Sequence, residues 1–127
     1  MNIQILILYN DKAMRQLLAL SVRREGCRAH TSANSDQAEA QLRQGGIDFL
    51  LLDLNLGGGG SGEKLAERWA QDNLLPPFYV VTGTPDDHRL ATLEGLSQFR
   101  GVIAKPFPVL ELCGKIKAEI TAKEEEL

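Results

Sequence analysis

The residues with the clearest chemical potential in this chain each follow an apolar run. Asp53 closes the run Phe49–Leu52, and Asn10 and Asp11 follow Ile3–Leu8. Thr82 ends Phe78–Thr82, Lys105 follows Gly101–Ala104, and Asn55 brings a backbone carbonyl two residues beyond Asp53. A carboxylate, a hydroxyl, an ammonium and amide oxygens together suit phosphoryl chemistry. An Asp carboxylate can attack phosphorus to form an acyl phosphate. A Lys and a Thr can hold the transferred oxygens. Mg²⁺ uses one or two carboxylates beside the phosphate and keeps some of its waters. Taken alone, Asp53 also reads as an ordinary strand-end Asp capping the next turn.

These groups can meet only if the apolar runs are strands of one sheet. Phe49–Leu52 is short, unbroken and preceded by Gly45-Gly46, which fits a strand buried on both faces of a parallel sheet. Between the runs lie helical patterns. Met14, Leu17, Leu18 and Val22 repeat at helical spacing from Asp11 until Gly26. Cys27–Thr31 reads as a peripheral strand, followed by a second helix over Asp36 to about Gln44 with Asp36 and Glu39 as a capping pair. Leu65, Ala66 and Trp69 give a third helix its inner stripe. A fourth helix is expected from Thr84-Pro-Asp-Asp87, with only Leu90 and Leu93 facing in, and should be the least firmly packed. Val109, Leu112, Cys113, Ile116 and Ile120 mark a fifth. Alternation of this kind predicts one doubly wound α/β domain of five parallel strands; the order expected for it is the flavodoxin-like 2-1-3-4-5, which alternation alone does not fix. The domain is expected over 1–122, with 123–127 a polar tail. In that order strands one and three are neighbours at the switch point, where ligands bind outside the strands' carboxyl ends.

Composition narrows the function classes. The 127 residues suffice for one real core, and the formal charge of −3 argues against a nucleic-acid-binding surface within this domain. Cys27 and Cys113 have no partners at metal-ligand spacing and read as free thiols of a reducing compartment. Met1-Asn-Ile-Gln lacks the basic start of a signal peptide, and no apolar run reaches membrane-spanning length, so a cytoplasmic location without membrane contact is expected.

With Leu-Leu-Leu-Asp53-Leu-Asn-Leu, Val80-Val-Thr82-Gly and Ala104-Lys105-Pro106-Phe107, the chain resembles the receiver domain of two-component response regulators over roughly Ile3 to Ile120. The combination is specific, although each motif alone is weak. The resemblance implies that Asp53 accepts a phosphoryl group from a histidine kinase or phosphotransfer protein. It implies that Thr82 moves toward that group and Lys105 binds it. Asp53, Asn10 and the Asn55 carbonyl would then hold Mg²⁺, with Asp11 as a further candidate, and a downstream protein would bind the face of helix four, strand five and helix five.

The chain departs from that family where the metal should sit. Receivers usually carry two acidic residues after strand one, and here Tyr9-Asn10 stand there, with Asp11 one place late. Losing two charges should weaken Mg²⁺ binding. Val102 replaces a frequent aromatic residue, and the loop after Asp53 gains a residue and four consecutive glycines, Gly57 to Gly60. Two outcomes stay open. One is a receiver that is phosphorylated on Asp53 and dephosphorylates itself. The other is a pseudo-receiver that binds a partner constitutively. A small α/β enzyme is a third and weaker reading. Three other sites do not match. A P-loop needs Gly-Lys-Ser/Thr, where Gly62-Glu63-Lys64-Leu65 stands. A flavin-phosphate loop has no counterpart in Tyr9-Asn-Asp-Lys12, and Asn55 occupies the place of a haloacid-type phosphatase's second aspartate.

Overall fold

A computed structural model describes residues 3–56 and 60–104, together with 114, 115, 117, 118 and 121. Strands β1 (Gln4–Leu8), β2 (Arg28–Ser32) and β3 (Phe49–Leu52) alternate with helices α1 (Lys12–Arg24) and α2 (Ser35–Gln44). A short hairpin, β4 (Asn55–Leu56) with β5 (Gly60–Ser61), leads into α3 (Gly62–Gln71). Strand β6 (Phe78–Thr82), a 3₁₀ helix (His88–Thr92) and β7 (Phe99–Ala104) follow. The five long strands form one parallel sheet in the order β2-β1-β3-β6-β7. With the hairpin set aside, this is the expected 2-1-3-4-5.

Apolar runs build this sheet because both of its faces are covered. Along β3, Leu50 and Leu52 join a core with Trp69, Phe78 and Val80 on one face. Phe49 and Leu51 join Ile5, Ile7, Leu18 and Val22 on the other. Strand side chains alternate between faces, so two-sided burial demands an unbroken apolar segment. The β3 and β6 residues are buried throughout. Helix α1 starts as expected at Asp11, whose Oδ1 accepts the Ala13 N–H at 3.0 Å. Trp69 is fully buried, and its Nε1 donates to Glu39 Oε1 at 3.0 Å, tying α3 to α2. Cys27 is a buried free thiol, as expected.

Two local expectations need correction. Helix α2 begins earlier and is capped by Asn34, whose Oδ1 accepts the Gln37 N–H at 2.9 Å, rather than by an Asp36–Glu39 pair. The fourth helix is reduced to the 3₁₀ helix, in which only Leu90 is buried, with Leu93 at its C-cap. Two inward residues three apart match the three-residue repeat of a 3₁₀ turn and do not supply the stripe a packed α-helix needs. Asn55–Leu56 and Gly60–Ser61 pair as an antiparallel hairpin, and residues 57–59 between them lie outside the described set. Lys105 and most of the expected fifth helix, including Cys113, also lie outside it, as does the tail.

Candidate phosphoryl-acceptor site

Asp53 lies immediately beyond β3, its backbone N–H donating to the Leu8 carbonyl at 3.0 Å. The residue is only 7% exposed. Its Oδ2 accepts the Asn10 N–H at 3.2 Å and its Oδ1 the Asn55 N–H at 3.1 Å. Burial raises the carboxyl above the usual aspartate range. The Asn55 and Asn10 N–H bonds and the positive charge of Arg89 pull it partly back, while Asp11 pushes it up. The carboxylate is thus held at both oxygens by backbone while staying poorly solvated.

Close backbone approach seals the floor of this turn. The Gly62 N–H donates to the Leu54 carbonyl at 2.9 Å. A Cβ on Gly62 would fall 2.3 Å from the Asp53 carbonyl oxygen, so the position has no room for a side chain. This contact gives the physical reason for glycine at position 62.

The other expected residues are arranged around Asp53 unequally. Asn10 contributes its N–H, and its carbonyl and that of Tyr9 accept from Arg15 Nη1 at 3.3 and 2.8 Å. Asn10 and Asp11 are exposed, and Asp11 Oδ1 is engaged as the α1 cap. Tyr9 is buried among the core residues below. Thr82 is buried at the end of β6, where its Oγ1 accepts the Thr84 N–H at 3.1 Å. Thr82 pairs with Ala104 across β6 and β7, the residue before Lys105. Among the described residues, no three His, Cys, Asp or Glu side chains gather as a metal centre.

Sequence reading missed Arg89. Asp87 caps the 3₁₀ helix by accepting the Arg89 N–H at 2.9 Å, and the Arg89 Nη2 donates back to Asp87 Oδ2 at 2.7 Å. The hydrogen bonds from this guanidinium hold the Asp87 carboxyl far below the usual aspartate range. Nη2 also donates to Asn55 Oδ1 at 3.0 Å, and Nη1 reaches the Leu54 carbonyl at 3.5 Å. A cation from the far side of β6 therefore rests on the two residues that follow Asp53. No periodicity signals this contact. Residues two apart do not face each other on the α-helix expected there, whereas a 3₁₀ start lets Asp87 orient Arg89.

Comparison with known proteins agrees with this geometry. Residues 5–117 match the response regulator receiver domain. The chain belongs to that family. This receiver is 28% identical over 119 residues to the transcriptional regulatory protein PmrA of Pectobacterium parmentieri, covering 92% of the chain and 52% of that protein. It is 30% identical over 118 residues to the phosphate regulon transcriptional regulatory protein PhoB of Pseudomonas aeruginosa, covering 90% of the chain and 50% of that protein. The chain spans about half the length of these curated relatives. A CheY-like receiver domain protein from Methanospirillum hungatei superposes over 100% of both chains with a TM-score of 0.88 at 21% identity, a likeness of fold. Response regulators work with histidine kinases or phosphotransfer proteins, and receivers generally bind Mg²⁺ at an acidic pocket. Here the described donors fit that ion poorly. They offer one carboxylate, Asp53, beside neutral Asn10, a helix-capping Asp11 and a nearby guanidinium. Among the described residues, no helix is long and apolar enough to cross a membrane.

Proposed function

We propose that this receiver accepts a phosphoryl group on Asp53 from a phosphohistidine of a histidine kinase or phosphotransfer protein. The observation carrying the proposal is the buried Asp53 carboxylate, held by two backbone N–H groups at the carboxyl end of a central strand. Thr82 would leave its bond to Thr84 to donate to the phosphoryl oxygens, and Lys105, assigned by family likeness, would pair with them. Asp53, Asn10 and the Asn55 carbonyl, with Asp11 as a further candidate, form a weak Mg²⁺ donor set. The receiver unit is proposed to span 1–122, with 123–127 a tail, and to act in the cytoplasm. Rearrangement at Thr82 would bias the surface around the 3₁₀ helix and β7, together with the segment after β7, toward a downstream protein.

Intact mass after incubation with acetyl phosphate and Mg²⁺ tests this proposal. One added phosphoryl group in the parent and none in Asp53→Asn is expected. The poor acidic pocket favours a second reading, constitutive partner binding without phosphorylation. No adduct in the parent, with one restored in Asn10→Asp, would support that reading and locate the defect at the metal position.

A further inference from the structure

We infer that Arg89 is a phosphoryl-binding residue, supplying part of the positive charge that receivers otherwise draw from a metal ion. This inference rests on the proposed acceptance of phosphate by Asp53. It starts from a mismatch: the described pocket contains one well-placed carboxylate where a hard divalent cation wants several oxygen donors. A guanidinium already stands at the pocket's edge, attached to both residues that follow Asp53.

Its hydrogen bonds leave one end available. Nε and Nη2 form a fork on the Asp87 carboxylate, with Nε at 3.1 and 3.2 Å from its two oxygens and Nη2 at 2.7 Å. Nη2 also meets Asn55 Oδ1. Among the described residues, Nη1 makes only the 3.5 Å approach to the Leu54 carbonyl, at the limit of hydrogen bonding. Asp87 therefore orients the guanidinium without occupying Nη1, and Leu54 and Asn55 hold it beside the acceptor. A small rotation of the side chain would turn the Nη1 N–H groups from Leu54 toward an oxygen on Asp53-bound phosphorus. Planar guanidinium groups suit such oxygens because they offer several N–H donors in a fixed geometry. The same charge would also repel Mg²⁺, so metal dependence should be weak.

With acetyl phosphate the step balances without a metal. An Asp53 oxygen forms a bond to phosphorus, the bond from phosphorus to the acetyl oxygen breaks, and acetate leaves with its electron pair. Arg89 would offset the charge on the equatorial oxygens as they pass between the two partners.

The test is the rate of mass gain from acetyl phosphate, measured for the full chain in Mg²⁺ and in EDTA. Labelling of the parent should persist in EDTA, and Arg89→Gln should slow it there by roughly ten-fold or more, less than the loss for a fully enclosed oxyanion donor. Arg89→Lys, which keeps the charge without the fork, should fall between them. If Arg89→Gln fails to fold by its melting curve, Arg89→Lys decides, and a rate equal to the parent's in EDTA overturns the inference. Parent labelling that requires Mg²⁺ and is indifferent to Arg89 overturns the arginine's role while leaving phosphate acceptance at Asp53 intact. No label on the parent under either condition overturns both.

Discussion

Charging Asp53 carries a cost set by burial. Desolvation raises its folded pKa above the ordinary aspartate value of 3.8, and the N–H bonds from Asn55 and Asn10 offset only part of that rise. For an acid whose folded pKa is raised, the native state holds its proton longer than the unfolded chain does. Stability therefore falls as pH rises from the ordinary carboxylate range through the raised value, and stays reduced at neutral pH. Asp53→Asn removes the charge but keeps one side-chain oxygen for two N–H groups, leaving the other N–H facing the amide NH2. It should raise the melting temperature at pH 7 by roughly a few degrees, with the gain shrinking as the pH is taken below the aspartate range. Melts across pH 3 to 7 check this, and a difference between variant and parent that does not grow in the variant's favour with rising pH would reverse the assignment of burial as the dominant cause. The site's carboxylate and hydroxyl were legible because each follows an apolar strand. Arg89 was not, since its position depends on a 3₁₀ start and a contact with Asn55, 34 residues earlier in sequence.

Helix α1 decides what Asp11 does. The family resemblance left it as a candidate metal donor, whereas the structure engages Oδ1 in capping the Ala13 N–H at 3.0 Å. Removing such a cap costs about 1 kcal/mol. Asp11→Ala should therefore lower the unfolding free energy by about that amount in urea and leave the ratio of labelling rates in Mg²⁺ and EDTA unchanged. A changed ratio at unchanged stability would return Asp11 to the metal site. The elements were legible in proportion to how much surface they bury. Strands β1, β3 and β6 announce themselves because both their faces are covered, and α1 and α3 because each has an apolar side. The 3₁₀ helix and its C-cap supply one inward residue each, Leu90 and Leu93, too few to distinguish the segment from a short α-helix. The Asn55–Leu56 hairpin depends on backbone pairing with Gly60–Ser61, which leaves no hydropathy pattern. The α2 cap was misplaced by two residues because Asn34 and Asp36 carry equally good capping side chains.

The sheet divides the interior into two cores, and β3 is the strand they share most fully. Leu52 belongs to the core containing Trp69, and Leu51 to the opposite core beneath α1. Both are fully buried, so truncating either to Ala should cost about 2–5 kcal/mol. The location of the loss tests how the two layers are joined. Trp69 is the chain's sole tryptophan and reports directly on the Leu52 side. If the strand couples the layers into one cooperative unit, Leu51→Ala should shift the Trp69 fluorescence transition and the far-ultraviolet circular dichroism transition equally, despite lying on the other face. If the α1 layer can open independently, Leu51→Ala should move the dichroism transition and leave Trp69 fluorescence near the parent midpoint. The paired register favours coupling, because Leu51 and Leu52 are consecutive on one backbone bonded to β1 on one side and β6 on the other. Their displacement would also reach Asp53, whose N–H is held by the Leu8 carbonyl of β1. A coincident shift would therefore mean that the phosphoryl-acceptor carboxylate is fixed by both cores at once, and that strain on either face is felt at the site.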